Sequence, residues 1–195
     1  MESTEERNRA KVGKLAGIVG IICNFALAGG KFVVGTLVSS MSIIADSVNN
    51  LSDAASSIVT LLGFKLAEKP ADKKHPFGHA RFEYLASLTV AVMIFVIGFE
   101  LAKSSVEKII SPTPVKFSLV TIIVLVVSIL VKLWMTLFYK KKGKQIHSTT
   151  LLATSADSRN DVLTTTCVLI AMVVELLTKW QIDGIMGALV SLFIL

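Results

Sequence analysis

Long blocks of apolar residues alternate with short polar connections along the whole 195-residue sequence. About 20 consecutive apolar residues suffice to cross a bilayer, and the helices of soluble domains seldom hold such uninterrupted runs. The blocks therefore predict an all-α membrane protein with six transmembrane helices, whose boundaries are good to a few residues. The predicted spans cover residues 15–38, 41–66, 81–106, 115–138, 147–177 and 183–195.

The first and last blocks differ in what they predict about the ends of the chain. The first block is long and has no small-residue cleavage site after it, so it predicts a retained helix rather than a signal peptide. The sixth block is still apolar where the sequence stops, and it is too short to cross a bilayer by itself. We therefore expect the sixth helix to be cut short and the sequence to be a fragment.

Composition and charge support the membrane interpretation. The sequence is 53% hydrophobic and 17% charged, whereas soluble domains carry about 25% charged residues. Its basic residues cluster before the first span and in the second-to-third and fourth-to-fifth loops, which predicts a cytoplasmic N-terminus. There is no separate basic domain with interleaved aromatic residues, so we expect no nucleic-acid partner. Cys23 and Cys167 lie inside apolar blocks and are interpreted as buried small hydrophobic residues rather than a disulfide or a thiolate site.

Polar residues interrupt the second span in the segment DSVNNLSD, which starts at residue 46. Their i, i+3, i+4, i+7 spacing places four of them on one helix face: Asp46, Asn49, Asn50 and Asp53. The opposite face carries Val48 and Leu51 and can meet lipid. Each aspartate at the centre of a span costs roughly 2.5 to 3.5 kcal/mol, so these acids need a partner, a cation or water.

The fifth span repeats the pattern. Asp157 and Asp161 form an i, i+4 pair, and hydroxyl side chains extend the same stripe at Thr154, Ser158, Thr164 and Thr165. Packing one stripe against the other would crowd carboxylates that repel unless they are protonated or bridged by a cation. A single intramembrane acid is often structural, but matching stripes on two spans are hard to explain that way. The stripes predict a divalent metal site.

The second-to-third loop holds a further group of possible metal ligands. His75 and His79 are four residues apart, and Asp72 lies three residues before the first histidine. This spacing is compatible with a metal cluster. The alternative is that the histidines order the loop through hydrogen bonds while Gly78 provides a turn.

Two lysines and one arginine lie within or near the spans without an evident role. Lys31 and Lys132 can snorkel to the interface or pair with an acid such as Glu100, and the sequence does not choose between these. Arg159 points away from both acids of the fifth span on helical geometry and is interpreted as a packing or interfacial residue rather than a ligand.

Three segments in order, DSVNNLSD, PADKKHPFGHARFE and DSRNDV, resemble the cation diffusion facilitator family of divalent-metal exporters. The resemblance runs from the first span into the sixth. It implies that the second and fifth helices form the core beside the first and fourth, that the third and sixth pair separately, and that the molecule is a homodimer. It also implies a cytosolic domain after the sixth helix, which this sequence lacks.

The same resemblance assigns candidate ligands. The family builds its transport site from two four-spaced pairs, one on the second helix and one on the fifth. In the second span both Asp46 with Asn50 and Asn49 with Asp53 have this spacing. Zinc members often read D-x-x-H-x-L-S-D here, which puts Asn49 and Asp53 at the ligand positions. The implied transport site is Asn49, Asp53, Asp157 and Asp161, and the implied second site, facing the cytoplasm, is Asp72, His75 and His79.

The chemistry of the candidate ligand atoms indicates which metal ion, the cargo, is transported. Four oxygen donors without histidine suit Mn²⁺, Mg²⁺ or Ca²⁺, whereas imidazole suits Zn²⁺. An Asn-Asp pair with an Asp-Asp pair also resembles the manganese-exporting branch, so Mn²⁺ is favoured, Zn²⁺ is second, and Fe²⁺ and Cd²⁺ follow. Releasing the metal would leave three acids close together, which favours proton uptake. The resemblance thus implies metal/proton antiport by alternating access in a bacterial inner membrane, without a prosthetic group.

Other classes fit the sequence less well. A lipid phosphotransferase with clustered aspartates would carry its acids and glycines on one loop, whereas here the acids are spread over two distant spans. An intramembrane aspartyl protease would need Tyr-Asp and Gly-x-Gly-Asp, and neither occurs. We therefore expect no enzyme. A non-transporting metal sensor is the other alternative, and a transport assay discriminates it.

Overall fold

A computed structural model describes residues 4–37, 41–70, 72, 75–76, 78–111, 119–178 and 183–194. All regular secondary structure in these residues is helical, which confirms the all-α, six-helix prediction. The helices are α1 Thr4–Leu37, α2 Met41–Ala67, α3 Phe82–Ile110, α4 Leu119–Gln145, α5 Thr149–Thr178 and α6 Asp183–Ile194. The predicted span ends at 38, 115–118 and 195 lie outside the described residues, and the span boundaries as a whole stay predictions.

The helices differ in how continuously apolar they are. Within the described residues, three are long and apolar enough to cross a membrane: Asn8–Leu37 of α1, all of α3 and all of α4. The helices α2 and α5 are 27 and 30 residues long, and they are the two that carry the polar stripes. The apolar helix α6 has 12 residues. The two long helices that are less continuously apolar than the others are therefore the ones that hold the candidate ligands.

The chain divides into two compact units, and the first combines Met1–Ala91 with Met135–Ala156. In this unit α1 packs along α2, and glycines on α1 allow the close approach. A Cβ atom at Gly17 would lie 2.8 Å from Leu61 Cβ and 3.0 Å from Leu61 Cα. Real Cβ atoms essentially never lie as close as 2.8 Å, and the neighbouring backbone leaves little room to shift, so the packing of α1 on α2 favours glycine here.

We predict that Gly17→Ala destabilises the protein, because the added methyl group forces α1 away from the α2 backbone. The free energy of unfolding should fall by about 1 to 3 kcal/mol, the usual scale of overpacking. Thermal unfolding in detergent measures it. Gly29 is the matched control, since a Cβ there meets nothing within 4 Å, and Gly29→Ala should be neutral or stabilise by up to about 1 kcal/mol. Equal stability of the two variants would contradict this packing.

Polar contacts fasten the ends of the helices in the first unit. The Arg9 guanidinium on α1 lies 2.9 Å from the Glu83 carboxylate at the start of α3, and it donates to the Ile146 carbonyl at 3.1 Å. The Thr150 hydroxyl on α5 donates to the Glu83 carbonyl at 2.9 Å. Ser148 caps α5, because its hydroxyl accepts the Leu151 N–H. These bonds tie α1, α3 and the α4–α5 connection together at one end.

The second unit combines Val92–Trp134 with Asp157–Leu195. Here α6 lies against α3, with Gly184 facing Ile109 and Gly187 facing Ser105. Large apolar side chains on α3, α4 and α6 in this unit point outward, as expected for surfaces that meet lipid, and they include Phe95, Phe99, Leu130, Leu189 and Leu192.

Candidate functional site

The polar stripe of α2 turns toward the interior of the first unit. Asp53 is 3% exposed and Asn50 is fully buried, while Asn49 is half-buried. Val48 and Leu51 on the opposite face are exposed, as the helical spacing predicts. The sequence therefore builds an α2 with one acidic, buried face and one apolar, outward face.

Asp46, at the start of this stripe, has a counterion on α1. The Lys31 ammonium lies 2.8 Å from Asp46 Oδ2, and Lys31 is 4% exposed. The Asn50 side-chain amide donates to the Asp46 carbonyl at 3.0 Å. This ion pair neutralises the partly buried Asp46 carboxylate within the first unit.

The acids of α5 lie one helical turn apart in the second unit. Asp157 is buried and Asp161 is partly buried. The Lys132 ammonium of α4 lies 2.6 Å from Asp161 Oδ2 and forms a charge-assisted hydrogen bond with it. Ser158 beside them is also buried. This end of α5 is therefore acidic, shielded from the surface and partly neutralised by one lysine.

The structure thus places the two predicted pairs on separate helices of separate units. Asn49 and Asp53 belong to the first unit, and Asp157 and Asp161 belong to the second. Each pair has the one-turn spacing that lets two side chains hold the same ion. That the two pairs share one ion stays a prediction.

The candidate ligands of the second-to-third loop lie together. Asp72, His75 and His79 each offer a ligand atom within 4.8 Å of the others. His75 Nδ1 is 3.2 Å from Asp72 Oδ1, and His79 Nε2 is 3.6 Å from Asp72 Oδ2. The two imidazole rings are 4.4 Å apart between centroids. The spacing in the sequence therefore predicted a real cluster of side chains.

The orientation of His79 is fixed by its surroundings. Its Nδ1 is 3.1 Å from the Pro70 carbonyl oxygen, to which it donates, and its ring stacks on Phe82 at 5.6 Å. A ligating histidine usually donates its other N–H to a carbonyl or carboxylate in this way. The bond to Pro70 leaves Nε2 facing Asp72 and able to accept a metal. The hydrogen bonds that order the loop and the geometry of a metal site are therefore compatible.

Some functional features were missed in the sequence. The partners of Lys31 and Lys132 are Asp46 and Asp161, whereas Glu100 is exposed. A single lysine inside an otherwise apolar span signals that a counterion is needed, but it does not identify the partner. Arg159 lies with its guanidinium 5.3 Å from the centre of the Phe193 ring, which is a packing role.

Buried polar atoms without partners mark a further feature of the first unit. Among the described residues these atoms are Asn24 Oδ1, Asn50 Oδ1 and Ser56 Oγ. Buried polar groups in proteins are normally satisfied by protein or ordered water. Because all three lie on α1 and α2, they indicate positions along these helices where water is expected.

Long apolar helices, together with two helices that carry acids on polar stripes, are typical of a polytopic membrane protein. A model of the cation efflux transmembrane domain matches residues 17–195. The chain belongs to this family, the cation diffusion facilitators. Because the family consists of transporters, membership also confirms the expectation that the chain is not an enzyme.

The chain is similar to several curated proteins. An uncharacterized transporter of Methanocaldococcus jannaschii is 34% identical over 177 residues, which cover 91% of this chain and 62% of that protein. Manganese efflux system protein MneS of Bacillus subtilis is 27% identical over 190 residues, covering 97% and 66%. Cation-efflux pump FieF of Shewanella oneidensis is 28% identical over 181 residues, covering 93% and 61%. The chain therefore spans 61–66% of the length of these relatives.

Proposed function

We propose that this chain moves a divalent metal cation out of the cell through a site formed by Asn49, Asp53, Asp157 and Asp161. The observation that carries the proposal is the pair of acids one turn apart on α5, matched by an amide and an acid at the same spacing on α2. Asp53 and Asp157 are both buried within helices of a membrane protein. Buried intramembrane acids without a functional role are rare.

The favoured cargo is Mn²⁺. The four side chains offer oxygen donors alone, which suit Mn²⁺ better than the softer Zn²⁺. The similarity to MneS, a manganese efflux protein, points the same way. Zn²⁺ is the second candidate, followed by Fe²⁺ and Cd²⁺, because carboxylates also bind zinc.

The proposed mechanism is exchange of metal for protons by alternating access. Ligand carboxylates must be deprotonated to hold the metal, so metal binding releases protons and metal release favours their return. An inward-open site loads the cation, and an outward-open site discharges it as protons enter. We further propose that the chain acts as a homodimer in a bacterial inner membrane.

Uptake into proteoliposomes tests this function. The full chain is reconstituted with a metal-sensitive dye inside, and Mn²⁺, Zn²⁺, Fe²⁺ and Cd²⁺ are added outside in turn, with an opposing proton gradient. We expect saturable uptake that is fastest for Mn²⁺ and that dissipates the gradient. If none of the four ions enters faster than into empty liposomes, the chain is a binding protein or sensor instead.

We also propose that Asp72, His75 and His79 hold a second ion, for which two imidazoles favour Zn²⁺. His79→Ala removes the ligand that the Pro70 carbonyl orients, so we predict the loss of one bound Zn²⁺ per chain. Equilibrium dialysis with metal analysis measures the number bound. His147→Ala is the matched control, because His147 is exposed in the α4–α5 connection. An unchanged zinc number in His79→Ala would leave the cluster a purely structural one.

A further inference from the structure

Lys132 is a buried lysine in direct contact with a proposed metal ligand. It is 4% exposed, and its ammonium lies 2.6 Å from Asp161 Oδ2. A lysine in the interior of a transmembrane helix is costly, and such residues are found paired with acids or lining functional paths. Exposure to water therefore does not explain why a lysine occurs at this buried position.

Lys31 gives a direct comparison inside the same chain. It is equally buried, and its ammonium lies 2.8 Å from Asp46 Oδ2. The two ion pairs therefore have the same chemistry and similar geometry. The difference that matters for the cation is that Asp161 belongs to the proposed ligand set and Asp46 does not.

The geometry lets Lys132 and a metal share Asp161. The ammonium engages Oδ2, and a carboxylate has a second oxygen with lone pairs of its own. Asp161 can therefore offer Oδ1 to a cation while Oδ2 keeps its bond to Lys132. The lysine need not leave the site for the metal to bind.

The charges match a divalent ion. The proposed ligands Asp53, Asp157 and Asp161 carry three negative charges, and Lys132 reduces the total to two. For these four side chains counted by themselves, a divalent cation brings the net charge to zero, whereas without Lys132 one negative charge would remain. In a low-dielectric interior an excess charge of this kind binds a cation strongly, and strong binding opposes release on the far side.

We propose that Lys132 sets the charge of the transport site: it neutralises one of three carboxylates, so that the site fits a divalent cation and lets it go. The proposal rests on the function proposed above. It makes Lys132 a positioning and affinity-determining residue for the cation rather than a ligand. A structural lysine that merely joins α4 to α5 would not influence metal affinity in this direction.

The test measures the affinity of the purified full chain for Mn²⁺ in detergent. The electron paramagnetic resonance signal of unbound Mn²⁺ reports how much of the ion is free. Lys132→Gln should tighten binding by about tenfold or more, because one net negative charge is left on the site. It should also slow Mn²⁺ dissociation into a chelator. Lys132→Arg keeps the charge and should bind as the wild type does. The double variant Lys31→Gln with Asp46→Asn, which removes the other ion pair without leaving a net charge, is the matched control and should leave Mn²⁺ affinity unchanged.

The outcomes separate this proposal from the proposed function. Unchanged or weaker Mn²⁺ affinity in folded Lys132→Gln, with binding still lost in Asp157→Asn, overturns the role of Lys132 alone. Absence of Mn²⁺ and Zn²⁺ binding in the wild type overturns both. If Lys132→Gln does not fold, Lys132→Met, which keeps a long apolar stem without charge, takes its place in the same titration.

Discussion

Asp53→Asn should abolish Mn²⁺ uptake by the reconstituted protein. The substitution keeps the size of the side chain and removes its charge, so α2 retains its packing while the site loses a carboxylate. Loss of one buried charged partner costs about 3 kcal/mol, which corresponds to a fall in affinity on the order of 100-fold. The initial rate of dye-reported uptake at low Mn²⁺ measures the effect, and Asp157→Asn should behave in the same way.

The double variant Asp46→Asn with Lys31→Gln is the matched control. It replaces the 2.8 Å ion pair between α1 and α2 with two neutral side chains of similar shape. No buried charge is left unpaired, so the variant should fold and transport Mn²⁺ at a rate close to that of the wild type. If it loses transport while Asp53→Asn retains it, the ligand pair of α2 is Asp46 with Asn50.

Asp157→His should change the preferred cargo from Mn²⁺ to Zn²⁺. An imidazole in place of a carboxylate gives the site the nitrogen donor that zinc prefers over manganese. We expect the ratio of Zn²⁺ to Mn²⁺ uptake to rise on the order of tenfold, about 1.4 kcal/mol in relative binding. Competition between the two ions in the same proteoliposomes measures this ratio.

Asp157→Asn is the control for that change, because it removes the carboxylate without adding an imidazole. At metal concentrations high enough to give residual uptake, it should lower uptake of both ions and leave their ratio near that of the wild type. A ratio unaffected by Asp157→His would mean that Asp157 does not contact the transported cation.

The membrane fold and the candidate acids could be predicted from the sequence because both follow from local periodicity. Apolar runs give the helices, and the i, i+3, i+4, i+7 spacing gives the buried face of α2 on which Asp53 lies. The outward direction of Val48 and Leu51 follows from the same geometry. None of these inferences needs knowledge of which helices are neighbours.

The lysine partners could not be predicted, because they depend on how neighbouring helices are aligned. A lysine in an apolar span shows that a counterion is needed, but it does not identify one. The structure pairs Lys31 with Asp46 through the packing of α1 on α2, and Lys132 with Asp161 between α4 and α5. The close approach at Gly17 that helps to set the first of these alignments is equally invisible to hydropathy.

The cluster of Asp72, His75 and His79 in the second-to-third loop could be predicted from the sequence only in part. The spacing of Asp72, His75 and His79 suggested a shared site, and the structure brings their ligand atoms within 4.8 Å. The orientation of His79 depends on a hydrogen bond to the Pro70 carbonyl, nine residues earlier. Side-chain spacing predicts which residues meet, but such backbone contacts decide which nitrogen of His79 faces Asp72.

The number of Mn²⁺ ions bound per chain tests the central claim, that α2 and α5 hold the same ion. The measurement compares Asp53→Asn, Asp157→Asn and their double variant in a His79→Ala background, which removes the loop cluster. We expect one bound Mn²⁺ without the aspartate substitutions, and none at the same Mn²⁺ concentration in either single variant or the double. Two ions bound at first, one lost with each single substitution and both lost only in the double, would show separate sites and contradict it.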